Sequence, residues 1–181
     1  MNKEYKILSL FFNEPTKHWH FEKILDAAGI SRPQAQQWLK KLAKDKIVRR
    51  IKLRKQMPYY IANYQNPNYL SKKKLYALEQ LYSSGFLSHL HSLPNAKNIT
   101  IFGSFARGDW HSDSDIDVFI YGDANELNYS KFRKKLHREI QVFAYNSKEE
   151  LSQLSSALLR NILNGYHIKG KLDFMGVKPY A

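Results

Sequence analysis

Gly103-Ser104-Phe105-Ala106-Arg107-Gly108, then Asp109-Trp110-His111-Ser112-Asp113, then Ser114-Asp115-Ile116-Asp117-Val118-Phe119-Ile120, is the stretch on which the reading of this chain turns. It follows Ile99-Thr100-Ile101-Phe102, a short apolar run that predicts a strand, and residues 116–120 predict a second. Side chains alternate along a strand, so Asp115 and Asp117 point one way while Ile116 and Val118 point into the core. Two carboxylates that close repel unless a cation or a shared proton compensates. Paired oxygens beside a phosphate site suit a hard ion such as magnesium. The Gly103-Ser104 step lets the chain turn sharply out of the first strand, with N–H groups at the start of a short helix aimed at a phosphate. Arg107, about one turn further on, reaches the same anion as a multi-donor fork.

Either half alone is commonly a turn or a solvated loop end, whereas the conjunction is specific. Gly-Ser-x-Ala-Arg-Gly at 103–108, a five-residue gap and Ser-Asp-Ile-Asp at 114–117 together resemble the signature of the DNA polymerase beta-type nucleotidyltransferase superfamily, in particular its minimal nucleotidyltransferase branch. The resemblance implies that Gly103, Ser104, Arg107 and Ser114 hold a nucleoside triphosphate, ATP first among them, and that Asp115 and Asp117 bind Mg2+. It also implies a third carboxylate in a neighbouring strand, and the matching position here reads as Gln141, between Ile140 and Val142. Glutamine carries no charge and cannot serve as a general base. Glu139, two residues earlier on the same strand face, is the acid that could stand in, so Asp115, Asp117 and Glu139 form the candidate catalytic set. That substitution displaces the carboxylate by roughly 6–7 Å along the strand. No Gly-Lys-Ser/Thr follows the glycine, which excludes a Walker-type loop.

The chain has 181 residues, room for one ordinary domain or two small ones, and 43% hydrophobic with 14% aromatic content argues for packed cores. Its formal net charge of +13 favours an acidic partner, nucleic acid first and an anionic membrane surface second. With no cysteine there is no disulfide framework, thiolate metal site or cysteine nucleophile. The apolar run after Met1 is too short for an export signal and none approaches membrane-spanning length, so the expected location is the cytoplasm, with no membrane partner.

The amino-terminal third predicts a separate module, 1–64. Ile7, Leu8, Leu10, Phe11 and Phe12 mark a first helix stopped near Asn13-Glu14-Pro15. A second helix covers 21–28 and ends at Gly29. Ser31 reads as the N-cap of a third, 32–44, with Pro33 tolerated in its first turn and Ala35, Trp38, Leu39 and Leu42 on the inner side. Residues 47–53 and 59–61 form a hairpin around Arg54-Lys55-Gln56-Met57-Pro58. Three helices and a hairpin are the order of a winged helix-turn-helix, and residues 29–42 look like the turn and recognition helix of prokaryotic regulators of that fold. Arg32, Gln34, Gln36, Gln37 and Lys40 would then meet double-stranded DNA from the helix, and Lys52, Arg54 and Lys55 from the wing. His18 and His20 read as surface or packing residues, and His89 and His91 do not face each other on a helix.

A connector, 65–93, carries a long helix over 71–91 with Gly85 inside it, and its apolar stripe suggests packing on a domain or in a homodimer. The second domain, 94–181, continues past the motif with a basic helix at 125–136, a strand at 139–144 and a capped helix from Ser147 to Gly165. The fold class expected is α+β: a winged helix-turn-helix followed by a small nucleotidyltransferase-like mixed sheet with helices on one side. Two functions remain open. One is an enzyme moving a nucleoside monophosphate to a hydroxyl on a protein or RNA acceptor. The other is a DNA-binding regulator whose second domain senses nucleotide, or docks a protein partner, without turnover.

Overall fold

The computed structural model describes residues 3–171, so the end of the expected second domain, 172–181, lies outside the described residues. The architecture is mixed α/β, a helical region with a small sheet followed by a mixed sheet with helices, and the chain divides into two compact units. Of the described residues, the first holds 3–76 together with 109–112, and the second holds 77–108 and 113–171.

In the first unit, α1 (Lys3–Asn13) buries Ile7, Leu8, Phe11 and Phe12, the apolar spacing of one helix face. A two-residue strand β1 (Trp19–His20) leads into α2 (Phe21–Ala28), which ends at Gly29 in the left-handed region that glycine adopts without cost. In α3 (Arg32–Lys44) the Gln34 side chain accepts from the Ser31 N–H at 3.4 Å, and Pro33 sits in the first turn, where its missing N–H costs nothing. Ala35, Leu39 and Leu42 fill the inner face of α3. Trp38, expected beside them, is only half buried, with the Lys41 ammonium 5.1 Å over its ring. Strands β2 (Val48–Ile51) and β3 (Tyr59–Ala62) pair antiparallel, and β1 adds to the other edge of β3. Trp110 belongs to this unit's core: it is 1% exposed, edge-on to Phe12 and stacked on Tyr76, and its carbonyl accepts from the buried Lys73 ammonium.

The expected connector helix is two helices, α4 (Pro67–Ser83) and α5 (Phe86–Ser92). Gly85 breaks it by taking φ +80°, a value no helix residue can hold. The expected apolar stripe is divided: Leu81, Phe86 and Leu90 are buried, whereas Leu75 and Tyr82 are exposed.

The second unit is a four-stranded sheet in the order β6-β5-β4-β7. Strands β4 (Ala96–Phe102) and β5 (Ile116–Gly122) pair antiparallel, with α6 (Gly103–Arg107) between them in sequence. β6 (Ile140–Tyr145) runs parallel to β5, while β7 (Tyr166–Lys169), which pattern reading missed, pairs antiparallel with β4. Phe102, Phe119, Tyr121 and Ile162 form a cluster on one face, with Phe143, Tyr145, Leu151, Leu154 and Leu158 against it. Ile99, Ile101, Val118 and Ile120 point from the opposite face and are just as buried, so both faces are covered rather than one. The expected 125–136 helix begins later, as α7 (Tyr129–Leu136), because the Asn128 side chain caps it by accepting from the Lys131 N–H. The helix expected from Ser147 to Gly165 is split into α8 (Lys148–Ser152) and α9 (Ser156–Leu163), the Ser155 hydroxyl capping the second. No helix among the described residues is long and apolar enough to cross a membrane.

Candidate functional site

The motif folds as a strand, one helical turn and a strand, and its register brings its ends together. β4 ends at Phe102, which lies opposite Asp117 in β5. The next residue, Gly103, takes φ +71°, and a Cβ built on it would fall 1.9 Å from Asp117 Oδ2 and 3.0 Å from its Cγ. Glycine is therefore required twice, for backbone conformation and for the approach of the carboxylate. Helix α6 closes on Gly108, whose N–H donates to the Ser104 carbonyl at 2.8 Å. That turn carries Arg107 on the same short element as Ser104.

Asp115 stands exposed just before β5, and Asp117 is half buried within it. The Asp117 carboxyl is raised above the ordinary aspartate range: burial contributes most, the Asp115 carboxylate adds to it, and the Arg107 guanidinium pulls the other way. One carboxylate is thus held against its preference, beside a second of like charge, under a guanidinium. The two carboxylates offer oxygen donors, the kind that hard divalent ions take. The donor set is small: among the described residues no group of three or more His, Cys, Asp or Glu side chains gathers as a metal cage.

The neighbouring strand explains why. In the parallel pairing of β5 with β6, Gln141 lies directly beside Asp117. Glu139, immediately before β6, is exposed and ion-paired with Arg133 of α7, while its backbone carbonyl accepts from the Ile116 N–H at 2.9 Å. The structure therefore brings Gly103, Asp115, Asp117 and the influence of Arg107 together, sets Gln141 beside Asp117, and leaves the Glu139 carboxylate with Arg133. Ser114 is half buried, and its carbonyl accepts from Arg138 Nη1 at 3.0 Å. Arg138 was not singled out by sequence reading. It belongs to no motif, and its only signal is a cation at the start of the third strand.

In the first unit, Gln36, Gln37 and Lys40 are exposed on α3, and Lys52, Arg54 and Lys55 are exposed around the β2–β3 turn. Arg49 and Arg50, which sequence reading did not include, are exposed on β2. Arg32 is engaged by Glu22 of α2, Nη2 lying 2.7 and 2.9 Å from its two carboxylate oxygens, and Gln34 is half buried in its capping role.

The Asp117 shift gives a signed prediction for the metal-free protein. A raised folded-state pKa means that the native state binds a proton more tightly than the unfolded chain. The associated stability is present below the unfolded aspartate pKa and lost as pH rises through the raised folded value. Asp117→Asn is therefore expected to raise the thermal midpoint at neutral pH, with the gain shrinking toward zero in acid. A midpoint lowered at neutral pH would contradict the desolvation account.

Residues 84–164 match the family model described as a nucleotidyltransferase domain, a stretch that includes the motif, α7, β6, α8 and α9. No curated protein and no solved structure matches the chain.

Proposed function

We propose that this is a DNA-binding protein whose nucleotidyltransferase domain binds a magnesium–nucleoside triphosphate, ATP in the first instance, and transfers nucleotide slowly or not at all. The observation that carries the nucleotide half is the fit of Asp117 against Gly103, beside Asp115, at the junction that the superfamily's signature marks. Asp115 and Asp117 would hold Mg2+, which when bound would offset the phosphate charge and favour attack at phosphorus. The Ser104 hydroxyl would donate to a phosphate oxygen, Arg107 would neutralise part of the triphosphate, and Ser114 would border the same anion. In transfer, the acceptor hydroxyl would bond to the α-phosphorus, the α–β P–O bond would break, and pyrophosphate would leave. Something must take the hydroxyl proton. Gln141, beside Asp117, cannot, and the Glu139 carboxylate is engaged by Arg133.

A second reading, an active nucleotidyltransferase, is favoured by the intact Gly103-Ser104 and Asp115-Asp117 pairs. The two readings separate in a labelled-ATP transfer assay with protein and RNA acceptors. Gln141→Asp is expected to raise transfer above a near-background wild type, and Glu139→Gln to change little. Robust wild-type transfer abolished by Glu139→Gln would establish the enzyme instead.

The DNA half rests on charge and element order. Residues 1–76 with 109–112 hold 17 basic against 6 acidic side chains, so this unit carries +11 of the formal +13. The order α1-β1-α2-α3-β2-β3 supports a winged helix-turn-helix, with α3 as reader and the β2–β3 turn as wing. The ion pair of Arg32 with Glu22 is exposed at both ends, and such pairs contribute only about 0–1 kcal/mol, so a phosphate can compete for the guanidinium.

Replacing Arg32, Lys40, Arg54 and Lys55 by alanine is expected to weaken duplex binding in a gel shift and to flatten its salt dependence. Unchanged affinity would remove α3 and the wing as the docking face. For the nucleotide site, calorimetric titration should show ATP binding that strengthens with magnesium. Asp115→Asn with Asp117→Asn should abolish the magnesium-dependent part, and equal affinities with and without the two carboxylates would refute the metal assignment.

A further inference from the structure

Resting on the reading that this site binds magnesium–triphosphate, we propose that Arg138 is its positioning residue, fixing the glycine turn relative to the turn that presents Asp115. Helix α7 ends at His137, which takes φ +53° and turns the chain, so that the Arg138 N–H closes on the Arg133 carbonyl at 3.3 Å. The side chain leaves the helix there, and its guanidinium touches both sides of the motif. Its carbon lies 5.2 Å from the centre of the Phe105 ring, two residues beyond Gly103 on α6, and Nη1 donates to the Ser114 carbonyl. Phe105 is buried and cannot move independently of its turn, whereas Asp115 is exposed and has little packing of its own.

Asp115 is thus held through its neighbours. The carbonyl before it is held by Arg138, and the Ile116 N–H after it donates to Glu139, the residue next to Arg138. A rigid planar fork suits the task because one group stacks on a ring and donates along its edge at once. A lysine keeps the charge but has neither the plane nor the fork. The metal-dependent part of binding requires Asp115 and the Gly103-Ser104 turn in one geometry, while phosphate contacts at the turn alone do not. The role of Arg138 consequently falls on the magnesium-dependent increment.

The test is titration of the full-length protein with ATP, with and without magnesium, for wild type, Arg138→Lys and Arg138→Ala, beside thermal melts. The expected result is that Arg138→Lys loses about tenfold in the magnesium-dependent gain, a typical cost of removing a residue that orients a metal ligand. Its magnesium-free affinity and melting midpoint should stay close to wild type, and millimolar guanidinium should partly restore the gain in Arg138→Ala. A full gain in Arg138→Lys would show that charge alone suffices and overturn the positioning role. A loss equal with and without magnesium, or one that tracks a lowered midpoint and resists guanidinium, would overturn it as well. If wild type itself shows no magnesium-dependent binding, the parent reading fails, and this inference with it.

Discussion

The antiparallel pairing of β4 with β5, in the register that sets Phe102 opposite Asp117, is the constraint on which the carboxy-terminal unit depends. It buries Ile99, Ile101, Val118 and Ile120 on one face and joins Phe102 and Phe119 to the aromatic cluster on the other. The same register leaves Asp117 at the end of the apolar face, where the chain must leave β4 through a residue with no side chain. A slip of one residue would exchange the two faces of the shifted strand and carry the Asp117 carboxylate away from Gly103 to the side of Ile99 and Ile101. The packing that stabilises the sheet therefore also positions the site, and Gly103 links the two requirements at one atom-scale contact.

That site is electrostatically unfavourable by itself. Burial and the Asp115 charge both disfavour an ionised Asp117, and Arg107 opposes them only in part. Perturbed carboxylates of this kind cluster at functional sites, which supports the proposed reading. In the neighbouring strand Gln141, an amide, lies beside Asp117, while the Glu139 carboxylate is drawn to Arg133. In the proposed function, binding and turnover therefore separate: Asp115, Asp117, Ser104 and Arg107 would attract a metal–triphosphate, and Gln141 would not accept a proton.

The motif was legible because its determinants are local. Gly103, Ser104, Arg107, Asp115 and Asp117 lie within one strand–turn–strand, and alternation alone places the two carboxylates on one side. The first three helices were legible for the same reason, their stops being written as Gly29 and the Ser31 cap. What depended on distant partners was not legible. Strand β7 is four residues long and forms against β4. The α8–α9 break turns on a serine hydroxyl that finds the Leu158 N–H, although the leucine spacing runs on through it. Trp110 sits in the motif's gap and reads as loop, yet it packs on Phe12 and Tyr76, residues far away in sequence. The engagement of Glu139 follows from where α7 stops, which hangs on a non-glycine residue, His137, in the left-handed region.

The most direct test of the central claim, that the Gly103–Asp117 junction is a metal–triphosphate site, is a crystal structure of the protein soaked with magnesium and a non-hydrolysable ATP analogue. The account predicts a magnesium ion ligated by oxygens of both Asp115 and Asp117 at about 2.0–2.1 Å, phosphate oxygens against Ser104 and Arg107, and the Glu139 carboxylate still with Arg133. Nucleotide bound elsewhere on the chain, or bound at the glycine turn with no metal between the two aspartates, would contradict it.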